Sequence, residues 1–102
     1  MNIDIHTEHV AMQPEWQEMI ETWLEHCRWR HPDVQDIDLS LRHAEQGRTA
    51  EAVNVVAQAR GRSLRAGTRA TSMSTALYDA LDTLERELLL NEAIRPGLAP
   101  RQ

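Results

Sequence analysis

The chain has 102 residues, a hydrophobic fraction of 41%, a charged fraction of 26% and a formal net charge of −5. That length suits one soluble domain burying roughly 65% of its unfolded surface, and the acidic balance argues against unselective nucleic-acid binding. No apolar run approaches the ~20 residues needed to cross a bilayer, "MNIDIHTEHV" lacks a signal-peptide layout, and Cys27 is alone, so a reducing, cytosolic location is expected.

The opening "NIDIHTEHV" alternates, with Ile3 and Ile5 on one side and Asp4 and His6 on the other, and predicts a strand. The period then changes. In "QPEWQEMIETWLEHCRWR", Trp16, Met19, Ile20, Trp23, Leu24 and Cys27 recur at spacings of three and four and form one apolar helical stripe. Pro14 stands in the first turn, where it is tolerated, and Glu15 and Glu18 favour the positive end of the helix dipole. Arg28 and Arg30 lie near the other end, and Pro32 stops the helix. "DIDLSLRH" alternates again, Ile37, Leu39 and Leu41 inward and Asp38, Ser40 and Arg42 outward, before "AEQGRT" turns the chain around Gly47.

"AEAVNVVAQAR" reads as the next strand, with Val53, Val55 and Ala57 on one face and Val56 breaking the alternation. Gly61 turns the chain into "SLRAGTRA", a strand with Leu64, Ala66 and Thr68 on one face and Arg65 and Arg69 on the other. Thr71 or Ser72 caps the last helix, whose stripe is Met73, Leu77, Leu81, Leu84 and Leu88 beside the small Ala76 and Ala80. The expected domain spans 1–90, followed by a flexible tail at 91–102 containing Pro96, Gly97 and Pro100. The order is β-α-β-β-β-α. Two apolar helical stripes and one apolar sheet face satisfy each other in an α+β domain, a four-stranded, mostly antiparallel sheet with both helices on one face.

Charge is unevenly spread along this order. Residues 1–39 carry nine Asp and Glu against Arg28 and Arg30, whereas 40–70 carry Arg42, Arg48, Arg60, Arg62, Arg65 and Arg69 against Glu45 and Glu51. There is no lysine, so every fixed positive side chain is a guanidinium, the group suited to bidentate phosphate or carboxylate recognition.

Nothing assembles into a catalytic centre, and no cofactor is expected. His6, His9, His26, His31 and His43 are scattered and make no metal set. Cys27, Trp16 and Trp23 fall on the apolar stripe and read as core, while Trp29 falls off it and is a candidate exposed contact. The acidic residues of both helices read as solvated faces, with no pocket or partner to make an acid–base pair. Gly61 and Gly67 are turn and strand glycines, not a phosphate loop.

The opening "NIDI", the proline-started first helix, the "RAGT" strand and "SMSTALYDALDTLEREL" together resemble the ribosome hibernation-promoting factors, also called ribosome-associated inhibitor A or sigma-factor modulation proteins. The resemblance covers residues 2–90. Members commonly read Asp-Met-Tyr-x-Ala-Ile at the start of the last helix and Lys-Leu-x-Arg-Gln-Leu near its end; Met73, Ala76, Leu77, Leu81, Leu84, Arg86 and Leu88 fit that frame. It implies a non-enzymatic translation regulator that binds the small ribosomal subunit through basic side chains on ribosomal RNA phosphates.

This chain departs from the family in charge. Gln17, His26 and Thr83 stand where related members often carry a basic residue, and Ser72 and Ser74 replace the usual Asp and Tyr. Helix one instead presents Glu15, Glu18, Glu21 and Glu25, and helix two Asp79, Asp82, Glu85 and Glu87. Of the family's basic positions, Arg69 and Arg86 carry over. The expected RNA-binding set is therefore Arg42, Arg60, Arg62, Arg65, Arg69 and Arg86, with Arg42, Arg65 and Arg69 on the sheet face away from the helices. The alternative is a protein-interaction module whose acidic helices meet a basic partner or self-associate.

Overall fold

The computed structural model describes residues 1–43 and 51–93. Strand β1 (Asn2–Glu8) leads into helix α1 (Pro14–Arg30), followed by β2 (Val34–His43), β3 (Glu51–Ala59), β4 (Arg62–Ala70) and α2 (Met73–Ala93). The strands form one sheet in the order β1-β2-β3-β4. β1 pairs parallel with β2, because α1 carries the chain back to the same end of the sheet; the other two pairings are antiparallel. This is the expected architecture.

Local chemistry explains each boundary. Gln13 is extended and offers no side-chain cap, and Pro14 occupies the first helical turn, where its missing N–H costs nothing. His31 ends α1, its N–H donating to the Cys27 carbonyl at 2.8 Å. Of the two capping candidates before α2, Ser72 does the work: its hydroxyl accepts the Thr75 N–H at 3.2 Å. Between β3 and β4, Arg60 (φ 55°) and Gly61 (φ 76°) are both left-handed, as a two-residue hairpin turn of the primed type requires.

Several boundaries differ from the sequence reading; β1, for one, ends at Glu8 rather than Val10, where His9 turns left-handed (φ 58°). β2 begins at Val34, not at Asp36, with a register shift between Val34 and Asp36. The bulge lets Val34 and Ile37, three residues apart, both enter the core, and so hides this end of the strand from a period-two pattern. Helix α2 continues to Ala93, past the expected end of the domain at residue 90. Asn91 is buried there and Glu92 bonds to His31. The rest of the expected tail, residues 94–102, lies outside the described residues, as do Gly47 and Arg48.

The core lies between one sheet face and the helices. Ile37, Leu39, Leu41, Val53, Val55, Ala57 and Leu64 are buried from the sheet, and Ile3 and Ile5, on the edge strand, are half-buried. Trp16, Ile20, Leu24 and Cys27 meet them from α1, and Met73, Leu77, Leu81, Leu84 and Leu88 from α2. Ala76 and Ala80, both fully buried, let α2 lie close over β3 and β4. Trp29, off the stripe, is 84% exposed as expected, whereas Trp23, read as core, is only half-buried at the margin of the core.

Candidate nucleic-acid interface

The other face of the sheet is polar, and among the described residues no helix covers it. Register fixes its side chains in rows across the strands: Glu8, Arg42, Ala52 and Arg69; then His6, Ser40, Asn54 and Gly67; then Asp4, Asp38, Val56 and Arg65; then Asn2, Asp36, Gln58 and Ser63. Val56, which broke the alternation of β3, thus stands outward between Asp38 and Arg65, half-buried by its neighbours. No bulge interrupts β4, so Arg65, Gly67 and Arg69 share this face as expected, and Arg42 joins them from β2. The carboxylates Asp4, Asp36 and Asp38 gather on β1 and β2, the arginines on β4 and at the end of β2.

Small residues shape the surface between the arginines. Ala52 and Gly67 leave a recess of about 360 Å³, lined also by Arg42, Asn54, Thr68 and Arg69. A Cβ at Gly67 would stand 2.8 Å from Asn54 Oδ1, so a larger residue there would push the exposed Asn54 side chain aside and fill part of the recess. A second recess of about 220 Å³ runs toward β1 past His6, Ser40 and Glu8, and shares Arg42 and Asn54 with the first. Among the described residues, Arg42 Nε is the one buried side-chain nitrogen or oxygen without a hydrogen-bond partner. Such an orphaned donor costs about 1–3 kcal/mol until an acceptor reaches it.

The other three candidate arginines stand elsewhere. Arg60, at the hairpin turn, is committed to Asp33, with Nη2 and Nε at 2.6 and 2.8 Å from Oδ2. Arg62 begins β4 on the helix side of the pleat, where it donates to Asn91 Oδ1 at 3.1 Å. Arg86 projects from α2, exposed and paired with Asp82 at 2.7 Å. The set of six expected from sequence therefore divides. Arg42, Arg65 and Arg69 share one surface, while Arg60 and Arg62 serve internal links and Arg86 lies beyond the helix layer.

The structure also brings together a cluster that periodicity did not suggest. His31 is buried, with Nε2 2.9 Å from Glu85 and Nδ1 bonded to Glu92. Its two carboxylates are seven residues apart on α2, on one helical face, which was the only sequence signal for the cluster. Burial alone would lower the His31 pKa, but the hydrogen bonds and charges of Glu92 and Glu85 outweigh it and hold the pKa above 6.5. Burial, reinforced by the same two carboxylates, pushes the Cys27 thiol to about 11, so it is inert as a nucleophile at neutral pH.

A raised histidine pKa stabilises the folded state fully below the unfolded value and loses that effect as pH climbs through the folded one. His31→Gln is accordingly expected to widen its stability deficit below pH ~6.5 and to narrow it as pH rises past the raised pKa. Urea midpoints of wild type and variant across that range measure this. A deficit independent of pH would mean that His31 serves by packing alone.

A four-stranded sheet with one face under two helices and the other bare defines an open-faced α+β domain. Residues 3–90 match the family model described as Sigma 54 modulation protein / S30EA ribosomal protein, and the chain belongs to that family. Among solved structures it is similar to a ribosomal subunit interface protein from Coxiella burnetii, with a TM-score of 0.77 and 17% identity over 91% of this chain and 99% of that one. It is also similar to the N-terminal domain of Thermus thermophilus Protein Y, with a TM-score of 0.69 and 18% identity over 86% and 96% of the two chains. At those identities the likeness is one of fold. None of the curated proteins compared with the chain matches it.

Proposed function

We propose that the protein is a ribosome-associated translation regulator that binds ribosomal RNA of the small subunit without catalysis, and that it works in the cytoplasm. Family membership and the likeness to the Coxiella burnetii ribosomal subunit interface protein support the target. The observation that carries the reading is the convergence of Arg42, Arg65 and Arg69 on a bare sheet face, around a recess kept open by Ala52 and Gly67. Guanidinium groups bind phosphate bidentately, and a phosphate oxygen in the recess is the kind of acceptor that Arg42 Nε lacks. The helices offer no comparable surface, since Glu15, Glu18, Glu21 and Glu25 line the exposed side of α1.

Three arginine–phosphate contacts release about two to three counterions, so the logarithm of affinity falls against the logarithm of salt with a slope of about −2 to −3. Co-sedimentation with purified small subunits over a salt series tests this. The expected result is binding at low salt that weakens along that slope; no binding at low salt would overturn the reading. No helix among the described residues is long and apolar enough to cross a membrane.

A further inference from the structure

On the opposite side of the molecule, the two helices leave a groove of about 490 Å³ between them. Its floor is apolar: Met19 and Trp23 from α1, Tyr78 and Leu81 from α2. Leu81 is buried, Met19 and Trp23 are half-buried, and Tyr78 remains 62% exposed, a large aromatic surface with no partner among the described residues. The rim is acidic. Four carboxylates line the groove against one guanidinium, Arg30, which pairs with Glu85 at 3.7 Å. Glu15 and Glu18 have no basic partner among the described residues.

We infer that this groove docks a basic amphipathic segment of a protein partner, its apolar side chains on the Met19–Trp23–Tyr78–Leu81 floor and its Lys or Arg side chains against Glu15 and Glu18. Charge complementarity selects the occupant. Nucleic acid is repelled by the rim, while a wholly polar basic chain leaves the aromatic floor wet. A helix with apolar anchors at i, i+3, i+4 and i+7 and cations beside them meets both demands. The sheet face of a second copy does not. Among the described residues, Arg42, Arg65 and Arg69 project from a face on which only the half-buried Val56 is a sizeable apolar residue, so that face has nothing to fill the groove. The inference is independent of RNA binding, because the groove and the arginine recess lie on opposite faces of the domain.

The probe is a fluorescein-labelled peptide of about four helical turns, with Leu at those anchor positions and Lys elsewhere, titrated with the full chain and read by anisotropy. A peptide of the same composition with the leucines scattered around the helix is the control. The expected result is saturable binding, weakened about ten-fold or more by scrambling, by Tyr78→Ala and, separately, by Glu15→Lys with Glu18→Lys. Arg65→Glu with Arg69→Glu leaves it unchanged, so failure here and failure of the RNA reading are distinguishable. Equal binding of the scrambled peptide would overturn the inference, since charge alone would then explain it. So would displacement of the peptide by a single-stranded RNA, or concentration-dependent dimerisation of the free chain that the groove substitutions abolish.

Discussion

Replacing both Arg65 and Arg69 with glutamate is expected to abolish co-sedimentation with the small ribosomal subunit at low salt. The two substitutions remove two of the three guanidinium groups on the bare face and put two carboxylates in their place. A hydrogen bond to a charged group is worth about 1.5–3 kcal/mol, so losing both weakens binding by roughly 100-fold to 10,000-fold before any repulsion is counted. Both side chains are exposed and neither has an ion pair among the described residues, so the described fold has no stake in them. The check is a pelleting assay beside a thermal melt: ribosomes lost, melting temperature kept. Arg86→Glu makes the same change of charge on α2 and is expected to leave pelleting intact. Persistent pelleting of the double variant would move the binding surface off this face.

Leu84→Ala is expected to cost about 2–5 kcal/mol, the usual range for emptying a leucine site in a packed interior. Leu84 is fully buried on the stripe of α2, which lies over β3 and β4. A domain of this size holds only about 5–15 kcal/mol of net stability, so the loss is a large share of it. Leu89, on the same helix, is 52% exposed, and Leu89→Ala is expected to change stability by less than ~0.5 kcal/mol. Urea titration of the pair separates burial from helix propensity, because the chemical change is identical. Equal losses at both positions would show that the core does not lie where the stripe puts it.

The fold was legible because each element states its period in few residues. Trp16, Ile20, Leu24 and Cys27 could face inward together only on a helix, and Leu64, Ala66 and Thr68 only on a strand. The shared face of Arg65 and Arg69 followed from the same rule, since a regular strand places residues four apart on one side. The rule fails where the backbone is irregular or the side chain is long. Arg60 adopts a left-handed conformation in a turn, where the period of two has no meaning, and its route to Asp33 is set by the loop after α1. Arg62 lies in phase with the inward residues of β4, yet a cluster of arginines invites the reading that all face one partner. The His31 cluster depends on how α1 and α2 sit together, which no local pattern encodes.

β4 closes the sheet on one side, and among the described residues no strand pairs with its outer edge. A nine-residue edge with free N–H and C=O groups is a template for another extended chain. Arg65 and Arg69 put two like charges along its open face, and a second copy arriving edge to edge would bring its own two against them. Like charges meeting in this way disfavour edge-to-edge pairing. Charge reversal preserves that protection, whereas neutral replacements such as alanine remove it and expose the edge. Loss of ribosome pelleting in an alanine variant would therefore mix lost recognition with self-assembly, and glutamate is the substitution that keeps the two apart.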